Sequence, residues 1–242
     1  MKEAVSRVFQ AYDMRGIYPD ELTPDIAFRV GRALAAYLEE AMRVETGMVA
    51  VGRDMRLGSE EMAAAVVHGL EVGGITPVDI GLVSTDMVYF VTGEYPNEFD
   101  AGVMITASHN PPEYNGIKVM AADGVEIDRG REREVEEIFF EGRFKRAEWN
   151  RVGELRERTE VLEVYREAIL EQVDAGLIQG AGLHVAVDPG NGVTALIVPQ
   201  ILRDLGCGVV TVNADIDGRF PGRSPEPRPD NLSGLSTLVR AS

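Results

Sequence analysis

A single cysteine in 242 residues, Cys207, excludes any internal disulfide and with it the small stapled domains of secreted proteins, so a reducing compartment, the cytoplasm, is expected. Long apolar runs are missing too. No stretch approaches the roughly 20 consecutive apolar residues that a bilayer-crossing helix needs. The opening Met1-Lys2-Glu3-Ala4-Val5-Ser6-Arg7 has no apolar core of a signal peptide. Positive charge is scarce: 24 basic against 40 acidic side chains leave a net charge of −16. Neither a nucleic acid nor a membrane is therefore an expected partner, because a phosphate backbone selects excess positive charge. Only Lys2, Lys118 and Lys145 are lysines. The three histidines, His68, His109 and His184, stand apart from one another and from Cys207, so zinc-ligand spacing is absent.

What is present is the alternation of two periods. Thr23-Pro24-Asp25 supplies an N-cap, a proline at the first helical position and an acid at the positive end of the dipole. Ile26, Val30, Leu34 and Leu38 then mark one apolar face of a helix. A second helix is expected from Ser59 to Val72, stopped by Gly73-Gly74. Met48–Gly52, Ile75–Val83 and Ala101–Thr106 read as strands, the last apolar on both faces and therefore central. Arg129–Glu157 is charged with mixed sign and reads as a solvated helix face and linker. Beyond it lie an amphipathic helix over Val161–Val173, a glycine-punctuated break over Gly176–Gly182, and a buried-type strand over Leu183–Asp188. Pro189-Gly190-Asn191-Gly192 turns into a helix ending at Gly206, and Gly208–Val212 is the next strand. Leu232, Leu235, Leu238 and Val239 again have helical spacing. The expected class is α/β, in layered α/β/α domains with mixed, partly parallel sheets, one over residues 1–150 and an incomplete second over 151–242.

The chemistry concentrates between two strand-like runs, in Thr106-Ala107-Ser108-His109-Asn110-Pro111-Pro112-Glu113-Tyr114-Asn115-Gly116-Ile117-Lys118. It reads as a stiff loop at the carboxyl end of a central strand, where open α/β sheets place their ligands. Pro111-Pro112 stiffens it and Asn115-Gly116 is expected to turn it back. A serine hydroxyl is a weak nucleophile without a base or a cationic site around it. Lys118 and nearby arginines suit an anionic group on Ser108 better than an acyl-enzyme. No Gly-x-Ser-x-Gly elbow surrounds the serine, which leaves a serine hydrolase without its local geometry.

These residues resemble the alpha-D-phosphohexomutases, closest to their phosphomannomutase/phosphoglucomutase branch, with phosphoglucosamine mutases as near relatives. Four further segments resemble family motifs in the same order: Ala11–Gly16, Val51–Arg56, Asp188–Gly192 and Asp217–Pro221. The resemblance implies an isomerase in which phosphorylated Ser108 gives its phosphoryl group to a hexose phosphate. A bound hexose 1,6-bisphosphate then turns around and returns the other phosphate. It implies Mg²⁺ as cofactor, held in part by the phosphoryl group on Ser108. Tyr12 and Arg15 are implied to line the sugar-phosphate site, with His109 and Lys118 assisting proton transfer and charge balance. The family's metal loop, Asp-Gly-Asp-x-Asp-Arg, is not found, and Ala214-Asp215-Ile216-Asp217-Gly218-Arg219 is a near miss. The expectation is a first domain and most of a second, ending before the metal loop and inactive alone. A catalytically silent fragment that binds phosphosugar or pairs with a partner chain is the competing reading. The preferred sugar and the oligomeric state stay open.

Overall fold

The computed structural model describes residues 7–9, 13–95 and 97–241. The chain divides into two compact units, one of Met1–Ala107 and Glu113–Thr159, the other of Ser108–Pro112 and Glu160–Ser242.

The first unit is built on a six-stranded sheet. Its strands are β1 (Met14–Ile17), β2 (Met48–Arg53), β3 (Thr76–Leu82), β4 (Ala101–Ile105), β5 (Tyr114–Ala121) and β6 (Arg156–Glu157), in the spatial order β1-β5-β4-β2-β3-β6. The β4-β2-β3-β6 half is parallel, whereas β5 pairs antiparallel with both β1 and β4. All five residues of β4 are buried, as its apolar sequence demands of a strand with a neighbour on each side.

Helix α1 (Pro24–Glu40) starts where capping chemistry places it. Thr23 is extended and its side chain accepts from the Ile26 amide at 3.2 Å. Ile26, Val30, Leu34 and Leu38 are all buried. Helix α2 (Ser59–Val72) stops at Gly73, and the two helices pack on one face of the sheet. At their crossing Gly31 and Gly69 meet: a Cβ on Gly31 would lie 2.4 Å from the Val66 carbonyl oxygen, and one on Gly69 2.2 Å from that of Phe28. Helix α3 (Thr85–Glu94) covers the opposite face through Met87, Val88 and Val91. The result is the expected α/β/α layering with a mixed, mostly parallel sheet.

Two readings of this unit are corrected. The charged run from Arg129 is not only a solvated face, because helix α4 (Arg129–Glu141) buries Val135, Ile138 and Phe139 in the main core. Phe139 packs against Phe9, Phe140 and Phe144, and the Arg29 guanidinium stands 4.3 Å above its ring. Asn115-Gly116 does not turn the chain, since both lie inside β5.

In the second unit, β7 (His184–Val187) and β8 (Gly208–Thr211) run parallel, joined through a 3₁₀ turn (Val193–Leu196) and helix α7 (Val198–Asp204). This is the expected βαβ connection. The expected burial of the first strand fails: His184 is exposed and Val185, Ala186 and Val187 are half-buried, because a two-stranded sheet gives each strand one open edge. Helix α5 (Val161–Glu171) precedes it. The glycine-punctuated segment contains a short helix, α6 (Ala175–Gly180), where the Asp174 carboxylate accepts from the Leu177 amide at 2.9 Å and so offsets the glycines. Helix α8 (Ser233–Ala241) carries Leu235, Leu238 and Val239 and buries no residue.

Candidate active site

The central position of β4 governs where the residues just past its end can stand. Register places Arg53 of β2 beside Ile105 of β4, so Asp54 and Thr106 leave the sheet at the same level. The Asp54 amide donates to the Ile105 carbonyl at 3.0 Å, and the Thr106 amide donates to the Gly116 carbonyl at 3.0 Å. Asp54 is 5% exposed, yet its carboxylate is well satisfied. It accepts from the Thr106 hydroxyl at 2.7 Å, the Ser59 hydroxyl at 2.7 Å and the Arg56 amide at 3.0 Å. Arg56 Nε stands 3.3 Å from the same carboxylate, and its Nη1 donates to the Tyr114 carbonyl at 3.1 Å. Burial pulls the Arg56 guanidinium below its ordinary pKa, and the charge of Asp54 opposes that shift. Asn115, wholly buried, donates through Nδ2 to the Ser59 hydroxyl at 3.0 Å and the Leu57 carbonyl at 3.1 Å.

Two residues beyond Thr106, Ser108 adopts a left-handed backbone with φ of 57°, uncommon for a residue with a side chain. Ser108 and His109 are exposed. The sharp change of direction comes here, before the prolines, and not at Asn115-Gly116.

Arg15 and Lys118 share one face of the sheet. Met14, Ile117 and Val119 alternate into the main core, so Arg15 and Lys118, one residue out of phase, face the other way. Arg15 lies opposite Gly116, where a Cβ would stand 2.6 Å from the Thr106 carbonyl oxygen, 2.7 Å from that of Met14 and 3.2 Å from Arg15 Cγ. Both cations meet carboxylates. Arg15 Nε donates to Asp13 at 2.6 Å, and Lys118 Nζ lies 2.6 Å from Glu126 and 3.8 Å from Asp13. Burial pushes the Tyr89 phenol above its usual pKa; the Glu126 charge adds to this and Lys118 works against it. An incoming anion would compete with Asp13 and Glu126 for cations already held in place.

The expected site residues are thus partly gathered. Arg15 and Lys118 are joined through Asp13. Ser108 and His109 fall in the other compact unit, and Lys118 belongs to a strand rather than to the loop. Tyr12 lies outside the described residues. Sequence reasoning passed over Asp54, Ser59 and Asn115. The available signal was Asp54 itself, a carboxylate just past a buried strand whose neighbour ends at Thr106.

The second-unit motifs Asp188–Gly192 and Asp217–Pro221 meet where the Asp217 amide donates to the Asn191 carbonyl at 3.1 Å. Asp188 accepts from the Gly190 amide at 2.8 Å and Asn213 Nδ2 at 3.1 Å, and it pairs with Arg223 at 2.9 Å. Asp217 is engaged by Arg219, which holds its carboxyl down to about 2. Among the described residues no three His, Cys, Asp or Glu side chains gather to hold a metal ion. The described side chains alone do not supply the carboxylate set of a resident Mg²⁺ site.

Similarity to known proteins covers the whole arrangement. The family model described as phosphoglucomutase/phosphomannomutase, alpha/beta/alpha domain I, matches residues 6–146, and that for domain II matches residues 163–242. A "Phosphoglucomutase/phosphomannomutase" of Thermococcus kodakarensis is 41% identical over 237 residues, which cover 98% of this chain and 51% of the relative. A "Probable phosphoglucosamine mutase" of Methanopyrus kandleri is 43% identical over 240 residues, covering 98% and 50%. The crystal structure of a phosphoglucomutase/phosphomannomutase family protein from Burkholderia thailandensis superposes with a TM-score of 0.85 at 30% identity, over 97% of this chain and 50% of that one. The chain spans about half the length of the curated relatives it matches. With two family domains matched in order on the layered fold they describe, the chain belongs to the alpha-D-phosphohexomutases, the phosphoglucomutase/phosphomannomutase family.

Proposed function

We propose that the chain carries the phosphoserine half of a mutase that interconverts hexose 6-phosphate and hexose 1-phosphate. The observation that supports this most is the placing of Ser108: a left-handed serine two residues past Thr106, which is anchored at the end of the central strand. Such a serine is exposed for reaction while its approach is fixed, and phosphoryl transfer depends mainly on positioning and on neutralising charge. In the forward step the bond between phosphorus and the Ser108 oxygen breaks as a new one forms to a sugar hydroxyl oxygen. The sugar proton passes by way of His109, the proposed base, to the departing Ser108 oxygen. The bisphosphate turns around, Ser108 takes the other phosphoryl group, and the serine proton passes back by the same route to the sugar oxygen that leaves. Arg15 and Lys118 supply positive charge for the sugar phosphate, and Tyr12 is proposed as a further residue of that site. Mg²⁺ is the cofactor proposed from the family, with one ligand from the phosphoryl group on Ser108. The boundary near residue 150 is proposed as the family's first-to-second domain junction.

A second reading is a silent phosphosugar-binding or partner-pairing fragment. It is favoured by the lack of a three-ligand metal cluster among the described residues. Phosphoglucosamine mutase is the alternative substrate reading, given a relative of that name at 43% identity. No helix among the described residues is long and apolar enough to cross a membrane; a cytoplasmic location is proposed from the sugar-phosphate chemistry.

The test is labelling of the chain with glucose 1,6-bisphosphate and Mg²⁺, read by intact mass and peptide mapping, beside a coupled assay with glucose 1-phosphate and mannose 1-phosphate. One phosphoryl group on Ser108, absent from Ser108→Ala, supports the reading. Sugar turnover by the chain itself would remove the silent alternative, and no label on Ser108 would overturn the phosphoserine assignment.

A further inference from the structure

Both feet of the serine loop stand on one buried polar ring. Thr106, at the outgoing foot, donates its hydroxyl to Asp54. Asp54 takes the Ser59 hydroxyl, and Ser59 in turn accepts from Asn115 at the returning foot. Arg56 spans the same two feet by a second route, from the Asp54 carboxylate to the Tyr114 carbonyl. Every member is sequestered from water: Asp54 is 5% exposed, Arg56 3%, Ser59 1%, Thr106 4% and Asn115 0%. A carboxylate in that setting is costly unless its acceptor sites are filled, and here hydroxyls, an amide and a guanidinium fill them.

Geometry gives the ring a job beyond holding the sheet together. β2 and β4 are already bonded along their length, and β4 and β5 likewise. The backbone already bonds the two feet, the Thr106 amide donating to the Gly116 carbonyl, and the ring adds side-chain ties between Thr106 and Asn115, at the two ends of the segment carrying Ser108. Ser108 itself sits in a sparsely populated backbone region that persists only when its surroundings over-determine it. The Asp54 carboxylate touches the outgoing foot, the α2 start and the arginine of the second route.

Resting on the phosphoserine reading above, we propose that Asp54 is a positioning residue for phosphoryl transfer, acting through Thr106 and Ser59 to set where Ser108 stands. It contacts neither sugar nor phosphoryl group. Its loss therefore lowers the rate of transfer and leaves the affinity for sugar bisphosphate in place.

The experiment follows Ser108 labelling of the full chain by glucose 1,6-bisphosphate across a concentration series, for the parent, Asp54→Asn, Thr106→Val and Thr106→Ser, each checked by thermal melting. The donor breaks its bond to phosphorus, the Ser108 oxygen forms one, and the serine proton passes to the departing sugar oxygen. Asp54→Asn and Thr106→Val should lower the maximal rate at least about tenfold. The half-saturating concentration should stay within about twofold. Thr106→Ser, which keeps the hydroxyl, should recover most of the rate. Labelling by Thr106→Val at the parent rate overturns the proposal, and this variant decides the matter if Asp54→Asn does not fold. A parent chain that takes no phosphoryl group would refute the phosphoserine reading alone. Amide hydrogen exchange then tests the clamp: peptides covering 107–114 should exchange at least about tenfold faster in Thr106→Val than in the parent while β4 is unchanged. Equal exchange in the two proteins would overturn the clamp.

Discussion

Gly31 of α1 and Gly69 of α2 face each other at the helix crossing, each lying 3.1–3.2 Å from where a Cβ on the other would stand. The helices approach until backbone meets backbone, so the cost of a methyl group here cannot be absorbed by a side-chain rotation. Gly31→Ala or Gly69→Ala should destabilise the first unit by about 1–3 kcal/mol, although alanine is the better helix former. The double variant should cost less than the sum, because one separation relieves both clashes. Urea unfolding of the three variants checks this, and full additivity would contradict the shared contact.

Phe139 offers a second stability test. It is fully buried among Phe9, Phe140 and Phe144 beneath the Arg29 guanidinium. Phe139→Ala should cost about 3–5 kcal/mol. Substituting exposed Glu137, two positions earlier on the same helix, should change stability by less than about 0.5 kcal/mol. Equal effects at both positions would return α4 to the status of a solvated appendage.

Asp217 should titrate near 2, held there by its bonds to Arg219. The stabilising effect of a depressed carboxyl is complete above the unfolded-state pKa of about 3.9 and is lost as pH falls through the folded value. Arg219→Gln should raise the Asp217 midpoint toward the ordinary carboxylate range, as read by NMR titration. An unmoved midpoint would show that the backbone amide of residue 219, not its guanidinium, holds the proton off.

Lys118 stands between Glu126 and Asp13 with its side chain 13% exposed. Lys118→Met should cost about 1–3 kcal/mol at pH 7 by leaving two carboxylates facing one another. Adding Glu126→Gln should recover part of that loss. The same Lys118→Met chain should label more slowly with glucose 1,6-bisphosphate. A double variant no more stable than Lys118→Met would argue against the ion pair as the source of the effect.

The first unit was readable where local chemistry and final packing agree. Thr23-Pro24 capped α1, Gly73 ended α2, and the unbroken apolar run of β4 did mark the sheet centre. Reading failed where a local signal was overridden at a distance. Asn115-Gly116 carries a turn signature, yet Asn115 is needed as a buried donor to Ser59 and Gly116 for the close approach of the Thr106 and Met14 carbonyls. Charges on the outer face of α4 masked the spacing of Val135, Ile138 and Phe139. The Asp54 ring joins residues some fifty positions apart through strand register, which no periodicity reports. In the second unit an apolar strand composition met a sheet of only two strands, so burial was overestimated.

The edge position of β1 bears on how the protein emerges from the ribosome. Among the named strands β1 pairs with β5, Met14 against Ile117. It also meets the residues before it, the Arg15 amide donating to the Val8 carbonyl at 2.8 Å, so its strand partner arrives only when Ile117 has been translated. The β2-β3-β4 layers can close beforehand, while Arg15 stays unplaced. The cationic pair of Arg15 and Lys118 is therefore completed late in vectorial folding, when β5 is captured between the finished layers and the waiting edge. A nascent chain stalled before Ile117 would lack Lys118 and leave Arg15 unplaced beside the β2-β3-β4 layers.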